Sequence, residues 1–277
     1  MSPIPSVTFV KQYATPARCQ QATANHGWLG RFAAPMRLPI IHAAGPRHLH
    51  FEYADGSHVT PADLVAVAAH LGEVHGSTYH RQLLRARLDV AFDAGDGHSI
   101  AGFLARRLDA VERLLTAGAV RSPGLSVAEA RARMLAAVHG PVAFYKDTNP
   151  RNLLLTSDNH DGAAITVDFD DLTLAPFGYD LAKLVVTLAM TYGRIPRRIL
   201  EQALDAYNLA SARAHHDLGG VSFSDFLTWA EIHHILTIPY LGRAGYRHAW
   251  SDLRPYADAE AKTSTRRTTE DLTWLTM

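Results

Sequence analysis

The chain of 277 residues has a single cysteine, Cys19, so no internal disulfide can form. That agrees with a reducing compartment, and the expected location is the cytoplasm. Long apolar runs are also missing. The longest, LVVTLAM from Leu184 to Met190, falls far short of the ~20 residues a membrane span needs and reads as a buried helix. After Met1 there is no basic segment followed by an apolar one, so no secretory signal is expected. Neither Gly-x-Ser-x-Gly nor His-Glu-x-x-His occurs, and there is no internal repeat or low-complexity segment. Formal net charge is zero, which sets nucleic acid aside as the default partner. Acid is absent from one whole region: residues 1–51 contain Lys11, Arg18, Arg31, Arg37 and Arg47 but neither Asp nor Glu, and Glu52 is the first acidic residue. Such a start suits a phosphate-bearing ligand or an acidic partner, and equally a solvated basic face.

What is present describes an ordinary globular chain, 47% apolar and 19% charged, long enough for one large domain or two lobes. SVTFVKQY (residues 6–13), MRLPIIHAA and RHLHFEYA read as strands, the last two joined by a turn at Gly45-Pro46. Thr15-Pro16 opens a helix to about Phe32, and Thr60-Pro61-Ala62-Asp63 opens another, with Leu64, Val67, Ala68 and Leu71 at helical spacing. ADGSH between them reads as a hinge. From Tyr79 to His139 helical stretches are broken at DAGDGHS and RSPGLS. Further helices are expected at Tyr179–Tyr192, from about Pro196 to His216, from about Phe223 to Arg243, and near the C-terminus. The order implies an α+β fold: a small strand-rich lobe over residues 1–54 and a large, mainly helical lobe over residues 55–277.

The chemistry centres on FYKDTNPRNLLLTSDNHDGAAITVDFDD, residues 144–171. NLLLT and AAITVDF are short strands joined by SDNHDG, where Gly162 can supply a positive φ. Folding that hairpin brings Asp147, Asn152 and Asp168 toward one end. Two carboxylates and a carboxamide there suit a divalent cation and a hydroxyl that must lose its proton. Other candidates are quieter. The sixteen histidines include the adjacent pairs His215-His216 and His233-His234, but neighbours on a helix point about 100° apart and share no site. Asp89, Asp93 and Asp96 lack the remaining ligands of a calcium loop.

Asp147-Thr-Asn-Pro-Arg-Asn152 resembles the catalytic loop of the aminoglycoside phosphotransferase and choline kinase families, relatives of the protein kinases. VDFDD resembles their metal-binding segment and FGYDLAKL the Asp that opens their next helix. VTFVKQY looks like the strand with the phosphate-pairing lysine, HFEYADG like the hinge strand and LGEVHG like a helix ending in Leu-His. The likeness covers most of residues 6–192. It implies a protein-kinase-like two-lobe fold and a Mg²⁺-dependent transfer of the γ-phosphate of ATP or GTP to a hydroxyl of a small molecule: an antibiotic, an amino sugar or a nucleoside-like metabolite. By the same resemblance Asp147 is the base, Asn152 and Asp168 hold Mg²⁺, and Lys11 meets the phosphates. Backbone groups of Phe51, Glu52 and Tyr53 face the nucleotide base, Asp180 braces the loop, and Arg151 either touches the γ-phosphate or braces the loop. Such transfer demands positioning and charge neutralisation more than covalent chemistry.

The sequence departs from that pattern in three places. Tyr145-Lys146 stands where the family has His-Gly, and Lys146 is expected to set a cation beside Asp147 and lower its pKa. Lys11 lies too near Met1 for a preceding glycine-rich hairpin. No acid precedes Glu52, so the lysine's usual helical Glu partner is missing and Gln20 or Gln21 stands near its place. A second subunit or partner protein could complete such a site. Two other readings stay open: a Ser/Thr peptide kinase needing a partner protein, and a pseudokinase-like binding module. Asp225 and Glu231 are candidate contacts for a cationic acceptor.

Overall fold

The computed structural model describes residues 8–120, 123–156, 164–216, 218–243 and 245–255. Gly162 and the helix expected near the C-terminus lie outside these residues.

The N-terminal part is a three-stranded antiparallel sheet of β1 (Thr8–Gln12), β2 (Ile41–Ala44) and β3 (His48–Glu52), in the order β1-β3-β2. Lys11 sits opposite Leu49 in the register. Between β1 and β2 runs α1 (Pro16–Phe32), with Pro16 in its first turn and the Thr15 hydroxyl accepting the Arg18 N–H at 3.3 Å. Its buried residues are Cys19, Ala22, Asn25, Trp28 and Leu29. Trp28 stacks edge-on to Phe144, 5.8 Å between centroids, which ties the helix to the centre of the other lobe.

ADGSH is more than a hinge. Its last two residues form β4 (Ser57–His58), which pairs with β8 (Leu153–Leu155) of the central hairpin, while β8 pairs with β9 (Ile165–Thr166) as the alternation of NLLLT and AAITVDF requires. After it, Thr60 and Asp63 close a capping box. Then α2 (Leu64–Thr78) packs so tightly on α6 (Arg197–Ala214) that a Cβ on Gly72 or Gly76 would collide with the backbone carbonyl of Tyr207 or Ser211. Those two glycines, four apart on one helix face, allow backbone-to-backbone approach.

DAGDGHS, expected as a break between helices, is a small hairpin of β5 (Phe92–Gly95) and β6 (His98–Ile100). Its turn residues Asp96 and Gly97 both have positive φ, 53° and 74°, the turn chemistry that suits paired strands. The remaining helices are α3 (Leu104–Thr116), α4 (Val127–Ala136), α5 (Tyr179–Tyr192) and α7 (Phe223–Thr237). The last is shorter than expected, because Pro239 converts its continuation into a 3-10 turn at Ile238–Tyr240. At the centre, β7 (Val142–Tyr145) pairs with β10 (Thr173–Pro176). Every residue of α5 from Tyr179 to Met190 is buried, the apolar run Leu184–Met190 as expected and Asp180 and Lys183 with it. Among the described residues no helix is long and apolar enough to cross a membrane.

Candidate active site

β7 delivers the loop that follows it. Strand alternation sends Tyr145 and Asp147 to one side and Lys146 to the other. The Tyr145 hydroxyl lies 3.3 Å from Asp147 Oδ1, whereas Lys146 is buried and donates to the Val167 carbonyl at 2.6 Å. The expectation of Lys146 beside the Asp147 carboxylate is therefore corrected. Burial pushes the Lys146 ammonium down to about 8, with Asp180 and Asp168 opposing. The cation at Asp147 is instead Lys183 of α5, which pairs with Asp147 Oδ1 and donates to the Tyr145 hydroxyl at 2.9 Å. Burial lowers the pKa of Lys183, and Lys146 and Arg107 add to that, while the Asp147 carboxylate is its ion-pair partner.

Asp147 has φ 65°, in the left-handed region that aspartate tolerates better than most residues, and its surroundings hold it there. Asn152 does so, donating to the Asp147 carbonyl at 2.9 Å and to Oδ2 at 3.4 Å. Asn149 caps the intervening 3-10 turn by accepting the Arg151 N–H at 3.1 Å. From below, Thr148 donates a short hydrogen bond to Asp180, in the first turn of α5. Burial pushes the Asp180 carboxyl up to about 6, against the Thr148 bond and Lys146. His75 Nε2 stands 3.7 Å from Asp180, and its Nδ1 bonds the Tyr207 hydroxyl at 2.8 Å. Desolvation pushes this imidazole down to about 3, so it is neutral. Through α2 and α6 the loop is thus anchored in the tightest part of the core.

The second carboxylate centre sits above. Asp168 also has positive φ, 62°, and the Val167 N–H donates to the Asn152 carbonyl at 2.9 Å, joining the two motifs. Lys11 reaches across from β1 and lies between Asp168 (2.7 Å) and Asp170 (2.9 Å). Burial alone would lower the Lys11 pKa, but its hydrogen bonds to both aspartates raise it above the usual value. Gln21, near the place of the missing glutamate, bonds Asn25 at 3.0 Å. Buried Asn25 in turn donates to the carbonyls of Phe169 (2.7 Å) and Asp170 (3.2 Å), docking α1 on the metal-segment backbone. Sequence reasoning missed Asn25 and Lys183, because an interior helix position shows no motif.

Lys11, Phe51, Glu52, Tyr53, Arg151 and Asp168 line one cavity of about 430 Å³, within the size range of small-ligand sites. Asn152, Asp168 and Asp170 offer oxygen donors, the kind a hard divalent cation takes, and a lysine already seated between two of the carboxylates marks a place that attracts positive charge. Among the described residues no group of three or more His, Cys, Asp or Glu could hold a metal, so further ligands would have to come from a phosphate or from water.

A second cavity, about 530 Å³, opens on the other side of the loop and is lined by Arg107, Tyr145, Asp147, Tyr179, Lys183 and His233, among others. Neither acidic candidate reaches it. Glu231 is buried and engaged by Arg254 at 2.6 and 2.7 Å, Trp250 at 2.8 Å and the Gly124 N–H at 3.2 Å. Asp225, near the start of α7, pairs with Arg133 at 2.8 Å.

A strand-rich lobe over a helical one, with a braced Asp loop and an Asp-bearing hairpin between them, defines the kinase-like fold of small-molecule phosphotransferases. The sequence matches the phosphotransferase enzyme family over residues 8–217, and the chain belongs to that family. It is accordingly a phosphotransferase with an alcohol group as acceptor. Solved structures agree on the fold. A macrolide 2′-phosphotransferase from Brachybacterium faecium superposes with TM-score 0.53 at 18% identity, over 90% of this chain and 84% of that one. The microcompartment-associated aminopropanol kinase gives 0.53 at 15%, over 95% and 86%. An aminoglycoside phosphotransferase of Streptomyces rimosus, in complex with ADP and streptomycin, gives 0.51 at 12%, over 83% and 90%. No curated protein matches the chain by sequence.

Proposed function

We propose that the chain transfers the γ-phosphate of ATP or GTP to a hydroxyl of a small molecule, with Mg²⁺ as the metal. The observation that carries this reading is the pair of cavities meeting at one loop. Asp147 faces one, Asp168 and Lys11 line the other, and Asn152 links the two motifs. Asp147 takes the proton of the acceptor hydroxyl as its oxygen bonds to the γ-phosphorus and the bond to the β-phosphate oxygen breaks. Tyr145, Asn152 and Lys183 fix that carboxylate. Lys11 neutralises donor phosphates, and Phe51, Glu52 and Tyr53 flank the nucleotide base. Asn152 and Asp168 would hold Mg²⁺, which when bound supplies charge neutralisation at the phosphates. Arg151 lies on the donor side, and Asp180 serves the loop through Thr148. A bounded cavity of about 530 Å³ favours a small acceptor over a peptide.

The test is thermal stabilisation of the purified chain by Mg·ATP and Mg·GTP beside Asp168→Ala. A ligand that binds only the folded form adds about 2.7 kcal/mol at a hundredfold excess over Kd. The expected result is a raised midpoint with one of the nucleotides that the variant loses. A shift unchanged in Asp168→Ala, or no shift with either nucleotide, would overturn the reading.

A further inference from the structure

The cavity beside Asp147 is unusual in its charge. Its carboxylates are Asp147, paired with Lys183, and Asp171, which lies 3.6 Å from Arg106 and 3.7 Å from Arg18. That leaves Arg107. Its side chain comes from α3, is only 7% exposed and lines the cavity. It meets neutral groups: the Phe103 carbonyl at 3.4 Å, Thr173 Oγ1 at 3.0 Å, and the faces of Phe103 and Tyr145, each 4.7 Å from the guanidinium carbon. Among the described residues no carboxylate stands at ion-pair distance from it. Asp180 feels its charge from a distance, but a buried cation that no anion touches is costly, so such a group normally has a direct partner.

A second group points the same way. His233, 5% exposed on α7, lines the same cavity, and its Nδ1 bonds the Tyr179 hydroxyl at 3.2 Å. Among the described residues its Nε2 is buried with no hydrogen-bond partner. Where Nδ1 accepts from Tyr179, the neutral ring carries its proton on Nε2, an unused donor on a residue that lines the cavity. A guanidinium and an unused N–H, both buried and both at one cavity, are complementary to oxyanion oxygens. Tyr145, Tyr179, Tyr240 and Tyr246 supply flat walls suited to a ring or carbon chain.

We propose that the acceptor is a hydroxylated small molecule bearing an oxyanion, a carboxylate being the simplest, which Arg107 and His233 bind while its hydroxyl meets Asp147. This rests on the phosphotransfer reading and narrows it: polycationic acceptors are disfavoured, since the acids that would receive them are already paired.

The experiment holds the carbon skeleton constant and varies charge. Gluconate, sorbitol and the open-chain amine 1-amino-1-deoxysorbitol are titrated at equal ionic strength into the Mg·ADP-saturated chain, for the wild type, Arg107→Gln and Arg107→Lys. Gluconate should bind about tenfold or more tighter than either other probe, as a charge-assisted bond implies. Arg107→Gln should abolish that preference and Arg107→Lys keep part of it, with Mg·ADP affinity unchanged in both as the check on folding. A preference for the amine, equal binding of all three, or binding of none would overturn the proposal. So would an Arg107→Gln variant that loses Mg·ADP affinity and keeps gluconate, since Arg107 would then serve the donor. Failure of the phosphotransfer reading shows separately, as wild-type chain that no nucleotide stabilises.

Discussion

The two cavities share one loop and no lining residue, and they differ in almost everything else. The donor side draws on β1, β3, β4 and the central hairpin, and its charged groups Lys11 and Asp168 neutralise each other. The acceptor side draws on α3, α5, α7 and the segment beyond, and it contains a buried guanidinium that no carboxylate among the described residues touches. A donor site must always meet the same phosphates, so its residue types and short spacings are constrained. An acceptor site is shaped by whichever molecule it serves.

The sharpest way to test that division is to cut the loop both sides depend on. Asp147→Asn keeps a side chain that tolerates positive φ, so the fold should survive. Turnover should fall by about 10²- to 10⁴-fold, the usual contribution of a general base, while the Mg·ATP thermal shift stays. Loss of that shift would show that the donor side also depends on Asp147. Lys183→Met is the next test. It removes the cation that holds Asp147 Oδ1, and misplacing the base should lower kcat by roughly a hundredfold with nucleotide binding intact. An unchanged kcat would mean that Tyr145 and Asn152 position the carboxylate without help.

The smallest effect concerns titratable groups buried in the core, those of the brace among them. Buried His75 and His234 have pKa values pushed down by desolvation to about 3 and about 4, below the unfolded value of 6.5. Between those limits the unfolded chain binds protons that the folded chain refuses, so this stability is complete above pH 6.5 and is lost as pH falls. Asp180, raised to about 6, works in the opposite sense, favouring the fold below its unfolded value of 3.8 and losing that contribution as pH rises through 6. Burial lowers the pKa of His98 and His233 as well, so with four rings against one carboxyl the melting midpoint should drop steadily from pH 7 to pH 4. A flat profile would show that Asp180 balances the rings.

The same division explains what could be read beforehand. Asp147, Asn152 and Asp168 belong to one stretch of 28 residues, and Lys11, Phe51, Glu52 and Tyr53 to strands with a clear β pattern, so all of them could be picked out. Lys146 was assigned its neighbour wrongly because sequence adjacency ignores strand alternation. Lys183 looked like part of a buried helix, and its contact with Asp147 needed the pitch of α5. Arg107 and His233 are 126 residues apart and carry no local pattern, and Glu231, a candidate contact for a cationic acceptor, is instead the buried counter-ion of Arg254.

Separate walls on a common loop have a consequence for how such enzymes diversify. Substitutions in α3 or α7 can exchange one acceptor for another while the donor cavity, and the brace of Thr148, Asp180 and His75, stay as they are. Selection on a new acceptor then acts on a handful of helix positions that line only the acceptor cavity, and lineages sharing this plan can part in specificity long before they part in fold.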